Sequence, residues 1–389
     1  MKKALAMILA LAMCLCLFAA CGKTEPAAPA APAAPAAPAD PAAPAAPAEP
    51  TDDRSDWVKL DLTLATYLTD TNPCQENIDV MIQKLEEKMP GYITITEYAN
   101  NTLLKGADIY DGVLNGTCDI GLVQQDYTPS RFPLSQLFSY PGIVYNSAEV
   151  ATRVFHEWAR TSNAPELDGL VVLLGIGSGP YCIYTMEPLT SMADLQGKQI
   201  RAGGVNADLI AAYGATPVSM DISEVYEGLR SSLIDGLYTN YGACAYQNLD
   251  DIPGYALVTP LSSNPSMYVM NEDVFNQMPA SQQAVFMEAM DETFEEVTAV
   301  YQDAGYWGQR VVDFSAKTDR YFLEGEMLEE FQAAGAHLMG DLVAELDAAG
   351  HDGTGTYNTV LELAEKYNSI MTWEDYKGLF PPDLDPSNN

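Results

Sequence analysis

The chain has 389 residues, and its 54 Asp and Glu outnumber its 19 Lys and Arg, which gives a formal net charge of -35 at pH 7. A charge of this sign and size argues against nucleic acid as a partner and against a basic patch that binds anionic lipid. It would also repel an anionic ligand at long range. A site for such a ligand therefore needs its own local positive charge, and each interior arginine is a candidate to supply it.

The first twenty residues have the pattern of an export signal. Two lysines precede the apolar run ALAMILALAMCLCLF, and a pair of alanines precedes Cys21. Because no polar stop-transfer pattern follows, a cleaved signal is favoured over a membrane span. The ending LFAAC resembles a bacterial lipobox, so residues 1–20 are predicted to be a lipoprotein signal peptide and Cys21 the lipid-modified residue. An ordinary cleaved signal with a free cysteine is the alternative.

The next segment, 21–56, is rich in alanine and proline. From Pro26 to Pro50 a proline recurs at every third residue. Polyproline II has about three residues per turn, so these prolines would lie along one edge of an extended rod. Such a segment buries no core and acts as a semi-rigid spacer. We therefore expect a tether that holds a globular body, beginning at Trp57, away from a membrane; a ligand for proline-reading modules is the alternative.

Strand and helix patterns alternate at the start of the body. WVKLDLTLATYL alternates apolar and polar residues and predicts a strand, CQENIDVMIQKLEEKM predicts a helix, and YITITEY predicts the next strand. Further on, MPASQQAVFMEAMDETFEEVTAVYQDAGYWGQRVVDF predicts one long helix that could lie across two lobes. EGEMLEEFQAAGAHLMGDLVAELDAA predicts another helix near the end.

Two stretches of the body repeat the same order of residues, DIYDGVLNGTCDIGLVQQDY and EVYEGLRSSLIDGLYTNY. In both, an acid, an aliphatic residue, a tyrosine, an acid and a glycine come in order. An aspartate then follows nine residues after the tyrosine, at Asp119 after Tyr110 and at Asp235 after Tyr226. Each stretch predicts an amphipathic helix that leads into a short apolar strand. The repeat indicates two similar α/β lobes, with a chance match between two short helices as the alternative.

Two α/β lobes of this kind predict a ligand cleft. In open, parallel sheets ligands bind beyond the carboxyl ends of the strands, and two lobes that face each other across such ends can close by a hinge. The strand ends are Gln124, Gln125 and Asp126 in the first lobe and Thr239, Asn240 and Tyr241 in the second. The two glutamines and the three residues of the second lobe are the candidate ligand-binding residues.

The body carries no signature of catalysis or of metal binding. Its four cysteines are scattered without a CxxC pair, and its three histidines are isolated in the sequence. No HExxH, GxSxG, P-loop or EF-hand spacing occurs. We therefore expect no enzymatic activity, no metal and no cofactor.

The stretch DLQGKQIRAGG, followed by GATPVSMDISEVYEGLRSSLIDGLYTN, resembles the solute-binding proteins of TRAP transporters (tripartite ATP-independent transporters). In that family a DLxGxKIR segment precedes GAxPVxMxxSEVYxALxxGxVDG, and the likeness extends over nearly all of 57–370. It implies a two-lobed fold like that of periplasmic binding proteins, each lobe an open, mostly parallel sheet flanked by helices, with a long helix spanning both lobes. It also implies that the protein captures a small organic acid in the cleft and delivers it to an ion-gradient-driven TRAP permease.

The resemblance also assigns the site. In the family the arginine of KIR pairs with the carboxylate of the ligand, and this position is Arg201 here. Many members carry a second arginine where SGPYCIYT places Tyr181, and DGxENP where this chain has DGLYTN, with Thr239 or Asn240 near the polar role. These departures favour a monocarboxylate with an apolar or aromatic body over a dicarboxylate. Arg131 is either a second positive charge from the first lobe or an exposed loop arginine.

Five tyrosines at or near predicted loop ends indicate an aromatic wall for this pocket. They are Tyr67, Tyr127, Tyr181, Tyr238 and Tyr241. For each of them alone, packing in the core or at the surface is the alternative.

The predicted organisation follows from the repeat and the resemblance. Lobe one comprises 57–178 and 267–307, lobe two comprises 179–266 and 308–370, and 371–389 form a C-terminal tail. The protein is expected outside the cytoplasm, anchored through Cys21 at the outer face of the cytoplasmic membrane or in the periplasm. A ligand sensor that signals to a membrane kinase is the alternative function, because the same fold could serve it.

Overall fold

The computed structural model describes residues 54–68, 72–220, 224–240, 249, 254–300 and 318–378, all of which belong to one compact unit. The predicted signal peptide, the tether with Cys21, and Tyr241 lie outside these residues. None of the helices within the described ranges is both long and apolar enough to cross a bilayer.

The strands of the described residues occur where apolar and β-branched residues cluster between turns. They are β1 (Leu60–Ala65), β2 (Ile93–Tyr98), β3 (Ile120–Gln124), β4 (Leu170–Ile176), β5 (Tyr181–Thr185), β6 (Gln199–Arg201), β7 (Thr216–Val218), β8 (Gly236–Asn240), β9 (Gly254–Thr259), β10 (Ser266–Asn271) and β11 (Thr318–Phe322). The two strands predicted at the start of the body are confirmed as β1 and β2.

The α-helices lie between these strands and after the last of them. They are α1 (Glu76–Lys88), α2 (Ile109–Leu114), α3 (Ala148–Thr161), α4 (Asn206–Ala212), α5 (Val225–Arg230), α6 (Glu272–Phe275), α7 (Ala280–Val300), α8 (Gly325–Ala348), α9 (Gly353–Asn368) and α10 (Trp373–Gly378). Side-chain caps start several of them: Ser147 accepts from the backbone N–H of Val150 at α3, and Asp352 accepts from that of Gly355 at α9.

The strands form two sheets, one for each predicted lobe. In the first the order is β2-β1-β3-β10-β4, with β1 parallel to β2 and β3, and β10 antiparallel to β3 and β4. In the second the order is β11-β9-β5-β8-β6-β7, where β5 is antiparallel to β8 and β9 and the other pairs are parallel. The predicted fold of two open, mostly parallel sheets flanked by helices is confirmed, and each sheet contains one reversed strand.

Each reversed strand is the first strand after the chain crosses between the sheets. The chain passes from β4 to β5 through 177–180 and returns from β9 to β10 through 260–265. These crossings lie side by side, because the N–H of Asn264 donates to Oγ of Ser178 over 2.8 Å and the hydroxyl of Ser263 donates to the Ser178 carbonyl over 3.1 Å. They are therefore a candidate hinge between the lobes.

The aspartates of the sequence repeat occupy equivalent places in the two sheets. Asp119 Oδ2 accepts a hydrogen bond of 2.7 Å from the N–H of Thr63 in β1. Asp235 Oδ2 accepts one of 2.7 Å from the N–H of Gln199 in β6. Each aspartate thus links the start of a strand, β3 or β8, to the neighbouring parallel strand, and the repeat predicted from the sequence is confirmed.

Each sheet carries its own apolar core. In lobe one the core fills the space between the first sheet and the helices α1 and α7; its members include Leu64, Ile78, Met81, Met270 and Phe286. In lobe two the core lies between the second sheet and the helices α4 and α8; its members include Ile183, Ile200, Leu209, Tyr213 and Phe331. A third cluster contains buried residues of both lobes, among them Val123 and Phe155 of lobe one and Tyr184 and Leu237 of lobe two.

The predicted long helix is α7 in the described residues, and it lies on lobe one. It packs against α1, α3 and β4. Lys84 of α1 forms an ion pair of 2.6 Å with Glu296 of α7, on the exposed side of this contact. The part of the predicted helix that follows Val300 lies outside the described residues.

A helix that contacts both lobes is α8. The ring of Phe331 lies 4.6 Å from the ring of Tyr213 in lobe two. At Gly335 an added Cβ would lie 2.8 Å from Cγ of Pro141, in lobe one, and 3.2 Å from Cδ1 of Leu209, in lobe two. Because Gly335 has no side chain, the helix backbone can approach both lobes at this point.

The packing of α9 differs from the predicted lobe boundaries. The sequence assigns 308–370 to lobe two, but α9 packs against α3, which belongs to lobe one. Lys366 Nζ donates to Oε2 of Glu157 over 2.6 Å, and the apolar face of α9, with Val360, joins the cluster that includes α3. The helix α9 also packs against α8, so it contacts both a helix of lobe one and the helix that contacts both lobes.

Candidate functional site

A small pocket, partly open to solvent, lies beyond the carboxyl end of β3, between the loops that follow this strand and the start of α4. Its lining includes Gln125, Asp126, Ser135 and Ser139 from lobe one and Gly204 and Val205 from lobe two. Gly204 has a φ of 55°, and a Cβ added there would lie 3.9 Å from Cβ of Asp126. A glycine at this point lets the backbone of lobe two turn close to lobe one.

Arg201 ends strand β6 and is half-buried. Its Nε donates to the carbonyl oxygen of Met220 over 3.1 Å. Within the described residues its two Nη atoms have no hydrogen-bond partner. A guanidinium held by Nε keeps its terminal pair of N–H donors for two parallel hydrogen bonds to one carboxylate.

Asp126 lies in the short 3-10 helix Gln125–Tyr127, directly after β3. Its Oδ2 accepts a hydrogen bond of 2.7 Å from Nδ2 of Asn264, in the second crossing segment. Its Oδ1 is buried and has no hydrogen-bond partner among the described residues. Burial raises the pKa of the Asp126 carboxyl, and hydrogen bonds from neighbouring amides and the charge of Arg201 offset part of that rise. Asp126 and Arg201 therefore act on each other electrostatically across the two lobes.

Gln125 is the candidate whose position agrees best with a role in binding. Its side chain is 3% exposed and lines the pocket. Neither Oε1 nor Nε2 has a hydrogen-bond partner in the part of the chain that the structure describes. Because a buried amide without partners is costly, this side chain is suited to a polar ligand group.

Tyr67 and Gln124 support the pocket rather than line it. The Tyr67 hydroxyl donates to Oε1 of Gln124 over 2.8 Å, and Nε2 of Gln124 donates to the carbonyl of Pro265 over 3.2 Å. The Tyr67 ring also packs edge-on against Tyr127, with centroids 5.4 Å apart. These contacts fix the end of β3 to the second crossing segment.

Tyr181 packs against Tyr238 in the apolar core of lobe two, in agreement with core packing, the alternative given for each of these tyrosines. The side chain of Tyr181 is 4% exposed, and the two ring centroids are 5.0 Å apart. Burial raises the pKa of the Tyr181 hydroxyl, and the nearby carboxylate of Asp126 adds to the effect. Both tyrosines are therefore neutral near pH 7, and the position of the family's second arginine carries no charge here.

Thr239 and Asn240 lie at the end of β8 but on opposite faces of the sheet. Asn240 is opposite Tyr181 in the antiparallel pairing of β8 with β5, and it is half-buried. Thr239 is buried and opposite Cys182. Since successive side chains of a strand alternate between faces, Asn240 shares the face of Tyr238 and Thr239 does not.

Arg131 takes the exposed-loop alternative, which corrects its inclusion among the site residues. Its Nη2 forms an ion pair of 2.9 Å with Oδ1 of Asp111, and both side chains are 54% exposed. An arginine paired at the surface cannot also supply a second charge to the pocket. The two other candidates, Tyr241 and the lipidation residue Cys21, lie outside the described residues.

Sequence reasoning missed the group that supports the far wall of the pocket. Glu166 is buried, and its carboxylate accepts from the N–H of Leu134 over 2.7 Å, from the N–H of Ser135 over 2.9 Å and from the Ser135 hydroxyl. It fixes the 3-10 helix Ser135–Phe138, which lines the pocket. No sequence motif could indicate this role, because the partners of Glu166 are distant backbone amides.

The arrangement suits the binding of a polar small molecule. Asp126 and Gln125 line the pocket, and the charge of Arg201 acts on Asp126. Among the described residues no group of three or more His, Cys, Asp or Glu is placed to hold a metal ion.

Comparison with known proteins places the chain in a family. Residues 64–345 match the family model described as bacterial extracellular solute-binding protein, family 7 (DctP). A solute-binding protein of Roseobacter denitrificans is 24% identical over 212 residues, a match that covers 53% of this chain and 65% of that protein. The chain thus spans slightly less than two thirds of the length of this relative.

Two solved structures share the fold. A TRAP periplasmic solute-binding protein from Desulfovibrio salexigens has a TM-score of 0.71 and 24% identity, with 80% of this chain and 97% of that one covered. A TRAP solute-binding protein from a marine metagenome, described as specific for aromatic acid ligands and solved with metahydroxyphenylacetate, has a TM-score of 0.71 and 23% identity, with 80% and 100% covered. The family model, which spans most of the chain, and the shared fold agree with the resemblance seen in the sequence: the chain belongs to the bacterial extracellular solute-binding proteins of family 7, the DctP family.

Proposed function

We propose that the protein captures a small organic acid in the cleft between its lobes and delivers it to a TRAP permease in the membrane. The observation that supports this most directly is the hydrogen bonding of the Arg201 guanidinium. Its Nε is held by Met220, its Nη pair has no partner among the described residues, and its charge acts on Asp126, which lines the pocket between the lobes. A carboxylate is the ligand group that matches this pair of donors.

Arg201 supplies a local positive charge in a protein whose net charge repels anions. A net charge of -35 repels anions at long range, but that repulsion is screened over about 8 Å at physiological ionic strength. Inside a closing cleft the guanidinium lies within a few ångströms of the ligand and is screened much less. Capture therefore depends on one fixed positive group and not on the overall field of the protein.

The rest of the described wall carries no second positive charge. Tyr181 and Tyr238 are neutral aromatic groups, and Arg131 is paired elsewhere. A second carboxylate on the ligand would find no cation there, so the preferred ligand has one carboxylate. The structural neighbour that binds aromatic acids is consistent with such a ligand.

Delivery requires that the receptor stay near its permease. We assign this to lipidation of Cys21, with 21–56 as the tether, which would hold the body at the outer face of the cytoplasmic membrane or in the periplasm. A single acyl chain gives only marginal membrane binding, so a lipoprotein anchor with several chains is the form that fits stable attachment.

The test compares Arg201→Ala with Arg131→Ala, which removes the same charge from an exposed arginine. Thermal unfolding of the full chain is measured with and without a panel of carboxylic acids that includes benzoate, phenylacetate and pyroglutamate. An acid present at about 100 times its Kd should stabilise the parent and Arg131→Ala by about 2.7 kcal/mol. Arg201→Ala should lose this stabilisation, because removing one partner of a buried ion pair costs about 3–5 kcal/mol.

Two outcomes would contradict the proposal. One is that an acid stabilises Arg201→Ala as well as it stabilises the parent. The other is that no acid in the panel stabilises the parent and that native mass spectrometry of the protein as purified finds no bound acid.

A further inference from the structure

The pocket presents two opposite charges to its ligand, one from each lobe. Arg201 is the positive group of lobe two, and Asp126 is the negative group of lobe one, which lines the pocket itself. Gly204, which follows Arg201 closely in the chain, lines the same pocket, and a Cβ added to it would lie 3.9 Å from Cβ of Asp126. Arg201 precedes Gly204 by three residues, and its charge lowers the pKa of Asp126, so a carboxylate bound to Arg201 would lie within the electrostatic reach of Asp126.

The two oxygens of Asp126 differ in their surroundings. Oδ2 accepts from Asn264 over 2.7 Å, so the side chain is held in one orientation. Oδ1 is buried and has no donor among the described residues. A buried carboxylate oxygen without a donor is costly, which makes it the place where a donor on a ligand gains most.

A simple carboxylate would fit this pocket poorly. Bound to Arg201, it would bring a second negative charge next to Asp126 and would leave Oδ1 without a donor. Like charges in a poorly screened site repel each other, and the unpaired oxygen keeps its desolvation cost. A ligand that carries both a carboxylate and a donor satisfies Arg201 and Asp126 at the same time.

We propose that the ligand is a small acid that also carries a hydroxyl or amino group, and that this group donates to Oδ1 of Asp126 while the carboxylate binds Arg201. The proposal rests on the function proposed above and narrows its ligand class to hydroxy and amino acids. Asp126 is then the residue that determines specificity.

The strength of this selectivity depends on whether the site is apolar or contains a buried polar group. A pocket that is only apolar discriminates weakly between an acid and its hydroxylated analogue. A site built around a buried polar group rejects the analogue that lacks the donor much more strongly, since that group is then left unpaired. We expect the donor-bearing acid to bind at least about tenfold more tightly, a difference of about 1.4 kcal/mol.

The test measures affinities for matched pairs of acids by calorimetry on the full chain. The pairs are mandelate with phenylacetate, 3-hydroxybenzoate with benzoate, and lactate with propionate; phenylglycine adds the amino counterpart of mandelate. In the parent, at least one donor-bearing acid should have a Kd at least about tenfold below that of its partner. In Asp126→Leu this ratio should fall to within about twofold, and the unsubstituted acids should bind no worse than they bind the parent.

Two further variants complete the design. Asp208→Leu makes the same change at an exposed position of α4 and should keep the ratio of the parent. Asp126→Asn keeps an oxygen and the shape of the side chain but removes the charge. It should therefore still bind the hydroxy acid of a pair, such as mandelate, more tightly than the unsubstituted acid. It should not bind the amino acid phenylglycine more tightly than mandelate. It carries the test if Asp126→Leu does not fold.

The outcomes separate this inference from the function on which it rests. The assignment of Asp126 is overturned, and Arg201 keeps its role, if acids bind the parent but the two members of every pair have equal affinities. The same holds if Asp126→Leu keeps the affinity ratio of the parent. If no acid binds the parent, the proposed function itself is overturned.

Discussion

The substitution His156→Asn tests the account of a buried, uncharged histidine under the first sheet. His156 lies in α3, where its Nδ1 accepts from the N–H of Gly175 over 3.0 Å and its ring stacks on Phe294 with centroids 3.7 Å apart. Burial, together with the charges of Arg160 and Arg153, lowers the pKa of His156 from 6.5 to about 3. The folded protein therefore keeps this imidazole neutral at any pH near its working range.

The sign and size of the effect follow from linkage. Between pH 6.5 and about 3 the unfolded chain binds a proton at His156 and the folded protein does not. The free energy of unfolding thus falls as the pH drops through this window, by about 1.4 kcal/mol per unit at most. Between pH 7 and pH 5 the contribution of this one residue is about 2 kcal/mol.

The assay is urea unfolding at pH 7 and pH 5 for the parent, His156→Asn and His337→Gln, in which the exposed histidine of α8 is changed. Asparagine places an oxygen near the position of Nδ1, so it can still accept from Gly175, and the lost stacking on Phe294 weakens the variant equally at both pH values. The parent and His337→Gln should lose about 2 kcal/mol more on acidification than His156→Asn loses. Equal losses for the parent and His156→Asn would refute the reasoning.

Two further predictions concern the repeat and the anchor. Asp119→Ala should lower the free energy of unfolding by about 1 kcal/mol, because the half-buried N–H of Thr63 loses its acceptor; Asp235→Ala should cost less, because the N–H of Gln199 is exposed and can bind water instead. The exposed control Asp208→Ala should stay within about 0.5 kcal/mol of the parent, and an Asp119→Ala variant that is equally tolerant would contradict the assigned role. For the anchor, cells that express the parent or Cys16→Ser should incorporate labelled palmitate into the protein, whereas Cys21→Ser should not; label retained in Cys21→Ser would exclude Cys21 as the lipidated residue.

The elements that sequence reasoning predicted well are those fixed by local chemistry. The alternation in β1 and the amphipathic pattern of α1 depend on neighbours within a few residues, so the sequence carries them directly. The repeated aspartates were visible because each sits at a fixed distance from its own helix. The same holds for Arg201, whose place at the end of β6 follows from the motif that contains it.

The features that the sequence could not predict depend on contacts between distant segments. Asp126 was visible as a strand end, but nothing in the sequence shows that its carboxylate and Arg201 approach the same pocket from different lobes. Glu166 binds backbone amides, which leave no mark on residue identity. The ion pair of Arg131 with Asp111 and the contact of α9 with α3 are likewise properties of the assembled fold.

The exchange of strands between the sheets has a consequence for how the protein can fold. Neither sheet is complete in a continuous piece of chain, since β10 enters the first sheet only after the second has contributed β5 to β9. The strands β3 and β4 therefore lack the partner that joins them until most of the body has been made. The amino-terminal half of the body alone thus cannot complete the first sheet.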